Sequence, residues 1–241
     1  MSMVTHSPTR RHLLLALAAA PVGCAIQPLA PLTTQALATP PGVPALRLPQ
    51  VGQTWTYRQL NHFNGSEVAV VRETVAAVAA SGGGVVVERQ AGTTPLPAER
   101  HSTWGQLLRD PVWDYPLNLE HPVPLWPTAL AVGQVQRVNT HGREDGGSYR
   151  FWVQVHTAVV GWERVTVPAG TFDTVRVERL VRLQHRDVNR LETVRRDVLW
   201  LAPAVGRWVA RDTSGRYREP DGDKLGGGEY LEDHFRWELM A

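Results

Sequence analysis

The stretch that decides the fold is Gly161-Trp-Glu-Arg-Val-Thr-Val-Pro-Ala-Gly-Thr-Phe172. Val165 and Val167 alternate with polar residues, which is typical of a half-buried strand. Pro168-Ala169-Gly170 then interrupts the ladder, because proline lacks an N–H donor and glycine accepts turn dihedrals. The alternation resumes beyond Phe172, so the stretch predicts a hairpin of two long antiparallel strands.

The second strand of this hairpin separates apolar from charged positions. One face carries apolar residues and an interrupting arginine, namely Val175, Val177, Arg179, Val181 and Leu183. The other face carries Arg176, Glu178, Arg182 and Gln184. An arginine-rich face could bind an anion, but cross-strand pairing with Glu178, Glu192 and Asp197 explains the arginines more simply.

The same alternation continues on both sides of the hairpin. Trp55 and Tyr57 share one face of an early strand, Asn64-Gly65 predicts a tight hairpin, and alternating segments recur as far as Leu239. The sequence therefore predicts an all-β fold, mainly antiparallel, as a strongly curved sheet or half-barrel with little helix. The apolar face of such a sheet must close on itself, accept a plug or hold an apolar ligand.

Residues 92–130 differ from the rest of the predicted β domain, which spans residues 48–241 as one unit. Prolines alternate with aromatic residues there, no period is visible, and we expect at most a turn or two of helix between Thr103 and Arg109. We interpret 92–130 as a Pro/Trp-rich plug or loop. Alternatively, its aromatic residues could line a ligand-binding mouth, and the candidates are Trp104, Trp113 and Trp126.

Residues 1–24 are predicted to be an export signal. Arg10-Arg11 precede an apolar run that ends at Ala20, which resembles a twin-arginine signal, although a Sec-type signal has the same general plan. Cys24, the only cysteine, follows Pro21-Val22-Gly23 and resembles the lipidated cysteine of a bacterial lipobox. Pro21 stands where leucine is usual, so the alternative is an incidental cysteine in a signal cleaved near Ala38.

Residues 25–47 are rich in proline and alanine and carry almost no charge. We predict no regular structure in this segment and interpret it as a tether. The predicted location is the periplasm or the outer surface of the cell envelope, with membrane contact through a lipid on Cys24.

Charge and motifs argue against several functions. The net charge of +2 includes Arg10 and Arg11, and the remaining basic residues equal the 23 acidic ones, so we predict no nucleic-acid partner. No nucleophile elbow, phosphate loop or zinc-protease motif is present. The nine histidines lack metal-ligand spacing, although distant histidines could converge, and Asp221-Gly-Asp223 lacks the rest of an EF-hand loop. We therefore predict no metal site and no cofactor.

Two segments together resemble a known family. Glu163 to Phe172 reads Glu-x-Val-x-Val-Pro-Ala-Gly-Thr-Phe, and Trp200 to Arg207 reads Trp-x-Ala-Pro-x-Val-Gly-Arg. The pairing looks like the TapB-like family of uncharacterised bacterial envelope proteins, and it covers mainly residues 130–240. The resemblance implies an exported β-protein with a curved sheet like that of the LolA/LolB lipoprotein carriers. It implies no activity and no catalytic residues.

These features predict a non-enzymatic, exported cell-envelope (lipo)protein whose β scaffold binds an apolar small molecule or a partner protein of the envelope. We assign no catalytic residue. The alternative is an envelope hydrolase whose histidines or carboxylates, such as Glu144-Asp145 and Glu232-Asp233, converge only in the fold. A structural or assembly factor without a pocket is a third hypothesis.

Overall fold

The computed structural model describes residues 27–79, 84–113, 115–220 and 228–241. These residues form fourteen β-strands and no helix. The strands make one antiparallel sheet that curves into a nearly closed barrel with one unsealed seam. The predicted all-β fold class is confirmed. No helix long and apolar enough to cross a bilayer is found among the described residues.

The strands follow one another along the chain, most of them joined by short turns. The first seven are β1 Thr33–Leu37, β2 Thr54–Asn61, β3 Glu67–Val78, β4 Val85–Ala91, β5 Thr94–Thr103, β6 Gln106–Arg109 and β7 Asn118–Leu119. The other seven are β8 Val123–Pro124, β9 Val135–Arg143, β10 Phe151–Val167, β11 Gly170–Leu183, β12 Thr193–Ala202, β13 Arg207–Arg218 and β14 Glu229–Leu239.

The order of strands across the sheet is β7-β9-β10-β11-β12-β13-β14-β2-β3-β4-β5-β6-β8, with β1 beside β10. Pairing of β14 with β2 joins the two halves of the chain. The two ends of this order meet at the seam, where side chains replace the backbone ladder. Arg109 of β6 donates to Asn118 of β7 at 3.1 Å, and Thr157 of β10 donates to the carbonyl oxygen of Pro124 in β8 at 3.4 Å.

The predicted hairpin is formed by β10 and β11 and is confirmed. Val167 pairs with Gly170 across the two-residue turn Pro168-Ala169, and the register extends to Val153 opposite Leu183. The apolar face of β11 points into the barrel, where its valines are buried. Alternate positions of the other strands add to the same core.

The expectation of a helical turn between Thr103 and Arg109 is wrong. The chain instead makes a tight hairpin there, because β5 and β6 are joined through Trp104 and Gly105, whose φ of 88° allows a sharp reversal. The prolines at the start of β5 are tolerated because that part of the strand pairs only with β4. Further along 92–130, Leu117 and Leu125 are fully buried in the core.

The expectation that residues 25–47 lack regular structure is wrong for Thr33–Leu37, which forms β1. This strand pairs in antiparallel register with Trp162 to Thr166 of β10. The edge is free for it because β9 covers β10 only as far as Ala158. No proline falls inside β1, so its backbone can complete the ladder.

Candidate functional site

A cavity of about 380 Å³ lies between the N-terminal segment, the β5–β6 turn and the loop that precedes β9. We call it the Trp104–Trp126 cavity. Its walls come from residues 43–46 and Leu48 on one side, and from Thr103, Trp104, Gln106, Trp126 and residues 128–131 on the other. Two of the three tryptophans predicted from sequence therefore lie in one cavity wall.

Trp104 is fixed in this wall by hydrogen bonding and ring packing. Its indole Nε1 donates to the carbonyl oxygen of Gly206 at 2.7 Å. Its ring stacks on Trp55 at 6.1 Å between centroids and meets Trp126 edge to face at 5.6 Å. Such aromatic pairs favour one ring orientation, so the wall is pre-formed.

Trp126 depends on the absence of a side chain at Gly105. Trp126 is 3% exposed, and a Cβ on Gly105 would overlap its indole ring. The glycine therefore has two reasons to be there: a positive φ and the close approach of a large ring.

Trp113 does not line the Trp104–Trp126 cavity. Trp113 is 3% exposed in the core, with the Arg179 guanidinium 5.8 Å from its ring centroid. Its predicted role in ligand binding stays a prediction. Cys24 lies outside the described residues.

A buried ionic group lies under the aromatic residues of the cavity. Arg207 is 0% exposed, and its guanidinium sits 5.5 Å from the Trp104 ring centroid. It donates to Glu99 at 2.9 Å and also to Glu73. His101 contacts the same Glu99 carboxylate at 2.7 Å. Paired charges therefore pack against the ring of Trp104, but they are not part of the cavity lining.

A second buried ionic group lies deeper in the barrel. Arg179 donates to Asp110 at 2.7 Å and to Asp197 at 3.0 Å. Arg211 donates to Asp197 at 2.8 Å and to Asp110 at 3.3 Å. Two arginines and two aspartates thus alternate in a compact, electrically balanced cluster, as buried charges require.

Neighbouring cations lower the pKa of two buried carboxyl groups, those of Glu99 and Asp110. Burial raises the pKa of Glu99, but Arg207 and His101 outweigh that effect and hold the pKa well below its usual range. Burial also raises the pKa of Asp110, and Arg211 with Arg179 again reverses the shift and lowers it. Neither group is poised to donate a proton near neutral pH, and both are shielded from solvent. These carboxylates do not support the hydrolase alternative.

The carboxylates named as candidates in the sequence form ion pairs with arginines. Each of the four acids has its own partner: Glu144 with Arg186, Asp145 with Arg109, Glu232 with Arg190 and Asp233 with Arg195. The predicted cross-strand ion pair of Arg179 with Asp197 is confirmed, and Arg182 pairs with Glu192 just before β12. The prediction of cross-strand pairing is wrong for Glu178, whose partner Arg176 lies two residues away on the same strand, β11. The Asp221–Asp223 loop lies outside the described residues.

The inner face of the barrel is not wholly apolar. Charged residues occupy inward positions of several strands, such as Glu73 in β3, Arg179 in β11 and Arg211 in β13. The visible signal was a charged residue at a position where the alternation calls for an apolar one, as at Arg179 between Val177 and Val181. Pairing with Asp197 was predicted, but the contact between Arg179 and Asp110 was not, because these two residues are 69 positions apart in sequence.

Histidines distant in sequence do converge at one point. His62, just after β2, and His234 of β14 both contact Asp212 of β13, at 2.7 and 3.0 Å from their Nε2 atoms. The two imidazole rings stack with centroids 3.7 Å apart. Among the described residues, this is the group of three whose donor atoms lie close enough to share a metal ion.

No family model matches this sequence, and no curated protein matches it. The resemblance to the TapB-like family therefore stays a prediction. Solved structures align with the chain, three of them at 13–14% identity. A protein from Bacteroides fragilis, provisionally described as exported and YmcC-like in fold, is 14% identical, with a TM-score of 0.49, covering 82% of this chain and 98% of that chain.

The other two are provisionally described as lipoproteins. The one from Parabacteroides distasonis is 14% identical, with a TM-score of 0.49, and the alignment covers 83% of this chain and 99% of that chain. The hypothetical lipoprotein YmcC from Escherichia coli is 13% identical, with a TM-score of 0.42, covering 78% of this chain and 83% of that chain.

Proposed function

We propose that this chain is a non-enzymatic, exported cell-envelope lipoprotein that binds a small apolar molecule in the Trp104–Trp126 cavity. One observation carries the proposal: two tryptophans from a Pro/Trp-rich segment line a single concave site walled largely by apolar side chains. Concave, mainly apolar and pre-formed sites are the usual place for small-molecule binding.

The state of the polar groups in the wall supports an apolar ligand. Trp104 already donates to Gly206, and Gln106 donates to the carbonyl oxygen of Trp126 at 3.1 Å. The side-chain oxygen of Gln106 accepts from Gln136 at 3.4 Å. These groups are satisfied within the protein, so the indole faces and aliphatic side chains are what the wall offers to a ligand.

The size of the cavity narrows the ligand class. A volume of about 380 Å³ lies near the lower end of the range of roughly 300–1,000 Å³ for small-molecule sites. The paired charges of Arg207 and Glu99 lie behind the Trp104 ring of the cavity wall. We therefore expect a fused aromatic group or one short acyl chain, held at the end of the barrel and not in its interior.

Binding can be tested with the fluorescent apolar probe N-phenyl-1-naphthylamine. The full chain should bind it saturably, with one probe per chain. Ala131→Trp should abolish most of this binding, because Ala131 lines the cavity and an indole there would fill it. Fluorescence titration measures both effects.

The matched control is Ala36→Trp, the same substitution at an exposed alanine of β1 outside the cavity. This variant should bind the probe as the wild type does. Absence of saturable binding to the wild type, or equal binding by Ala131→Trp, would contradict the proposed site.

The envelope location depends on the N-terminal sequence and has its own test. When expressed in a bacterium that processes lipoproteins, the wild-type chain should fractionate with membranes, because acyl chains on Cys24 add membrane affinity of about 0.8 kcal/mol per buried methylene. Cys24→Ala should move the protein to the soluble fraction. Unchanged fractionation of Cys24→Ala would remove the lipid anchor from the proposal but leave the cavity untouched.

A further inference from the structure

The cluster of His62, Asp212 and His234 lies on the outer face of the barrel. Arg211 and Thr213, the neighbours of Asp212 in β13, are fully buried, so Asp212 points the other way. The three side chains are 16%, 19% and 33% exposed, respectively. The cluster is therefore sheltered but open to an ion from solvent, and it is separate from the Trp104–Trp126 cavity.

The spacing of the donor atoms matches that of metal ligands. Two atoms bound to one tetrahedral zinc ion at about 2.0–2.1 Å lie roughly 3.3 Å apart. The Nε2 atoms of His62 and His234 are 2.7 and 3.0 Å from the two oxygens of Asp212, and all three donor atoms fall within 4.8 Å of one another. To bind one ion, the two stacked imidazole rings would have to splay apart so that both Nε2 lone pairs point at it.

The chemistry of the donors points to one class of metal. Two imidazoles and one carboxylate suit zinc and similar divalent transition metals, and a water can complete four-coordination. Calcium and magnesium prefer oxygen ligands. We infer that His62, Asp212 and His234 form a binding site for a divalent transition-metal ion of the zinc type.

Arg236 is the group that opposes this assignment. Its guanidinium lies 3.4 Å from Asp212 and would repel a bound cation. However, its stronger contact is elsewhere, since it donates to the carbonyl oxygen of Ala30 at 2.7 Å, and Glu238 lies 3.9 Å away. Arg236→Gln should therefore bind the metal more tightly than the wild type.

Metal binding at this site would cross-link separate strands and so stabilise the folded protein. The backbone N–H of Leu29 donates to the carbonyl oxygen of His62 at 3.0 Å. His62, Asp212 and His234 come from three separate parts of the chain, so one ion would cross-link β13, β14 and the end of β2 beside the docked N-terminal segment. A ligand that binds only the folded state raises the unfolding temperature.

The test uses the full chain with a histidine-free affinity tag, in a Cys24→Ala background that removes the thiol. After treatment with a chelator, the protein is titrated with zinc chloride by calorimetry and heated with and without zinc. We expect one ion per chain and a zinc-dependent rise in the unfolding temperature. His62→Ala and His234→Ala should each weaken binding by roughly tenfold or more.

Two further variants keep the result decisive. His121→Ala, at an exposed histidine outside the cluster, should bind zinc as the parent does. Asp212→Asn keeps the shape of the side chain and should also lose affinity while its circular dichroism spectrum stays that of a β-protein. Absence of stoichiometric binding by the parent, or equal binding by a folded Asp212→Asn, would overturn the inference.

Discussion

Replacing Arg207 by methionine is expected to lower the free energy of unfolding by about 3–5 kcal/mol. Arg207 is completely buried and neutralises Glu73 and Glu99 together, while its guanidinium packs 5.0 Å from the Trp55 ring centroid. Methionine keeps much of the apolar packing but leaves two carboxylates with too little positive charge in a site without solvent. Chemical denaturation followed by circular dichroism measures the change.

Two variants separate this effect from a general loss of arginine. Arg164→Met removes an arginine whose bond to Asp173, at 2.7 Å, lies on the surface, and should leave stability close to that of the wild type. Adding Glu99→Gln to Arg207→Met removes the uncompensated charge, because Glu73 keeps buried Arg89 as its partner at 3.0 Å, and should recover part of the loss. If this double variant were less stable than Arg207→Met alone, the buried charge would not be the cause.

Gly105→Ala is expected to destabilise the protein by about 2–5 kcal/mol and to abolish binding of the apolar probe. A side chain at a φ of 88° contributes strain of roughly 1–2 kcal/mol. The added methyl group would also overlap the Trp126 ring, and overpacking of this kind costs about 1–3 kcal/mol. Displacement of Trp126 would deform the cavity wall. Thermal unfolding and probe titration measure the two effects.

Gly133→Ala is the matched control for the glycine. Gly133 has nearly the same φ, 85°, but a Cβ there meets no atom within 4 Å. The Gly133→Ala variant should lose only the stability that backbone strain costs, and it should still bind the probe. Equal losses of stability and binding in the two variants would show that contact between Gly105 and Trp126 is not what shapes the cavity.

The parts of the fold that sequence could predict are those fixed by local chemistry. Alternation of apolar and polar residues set the faces of β11, and the Pro168-Ala169-Gly170 turn set where the hairpin reverses. For the candidate site, the sequence predicted that its tryptophans would be either buried in a plug or in contact with a ligand. Trp104 and Trp126 proved to share a wall, because the Gly105 turn brings their segments together.

The contacts that the sequence did not predict depend on how the sheet closes. Arg207 and Glu99 lie on strands separated by much of the chain, and no local pattern joins them. Curvature of the sheet brings β13 opposite β5, and the ionic group forms only then. The same holds for His62 and His234, which meet because β14 pairs with β2. Strand β1 was missed because its partner is an edge left free by the length of β9.

Docking of the N-terminal segment limits the distance at which the barrel can work. Leu29 is already hydrogen-bonded to the barrel, and β1 follows it. If Cys24 carries the lipid as proposed, only five peptide units separate the anchor from Leu29, a reach of at most about 18 Å. If residues 25–47 were an extended free chain, the distance between the anchor and the barrel could reach about 80 Å. The end of the barrel that holds Leu29 and His62 would then lie close to the headgroup layer. The Trp104–Trp126 cavity would face away from it, toward the other end of β2, where Trp104 stacks on Trp55.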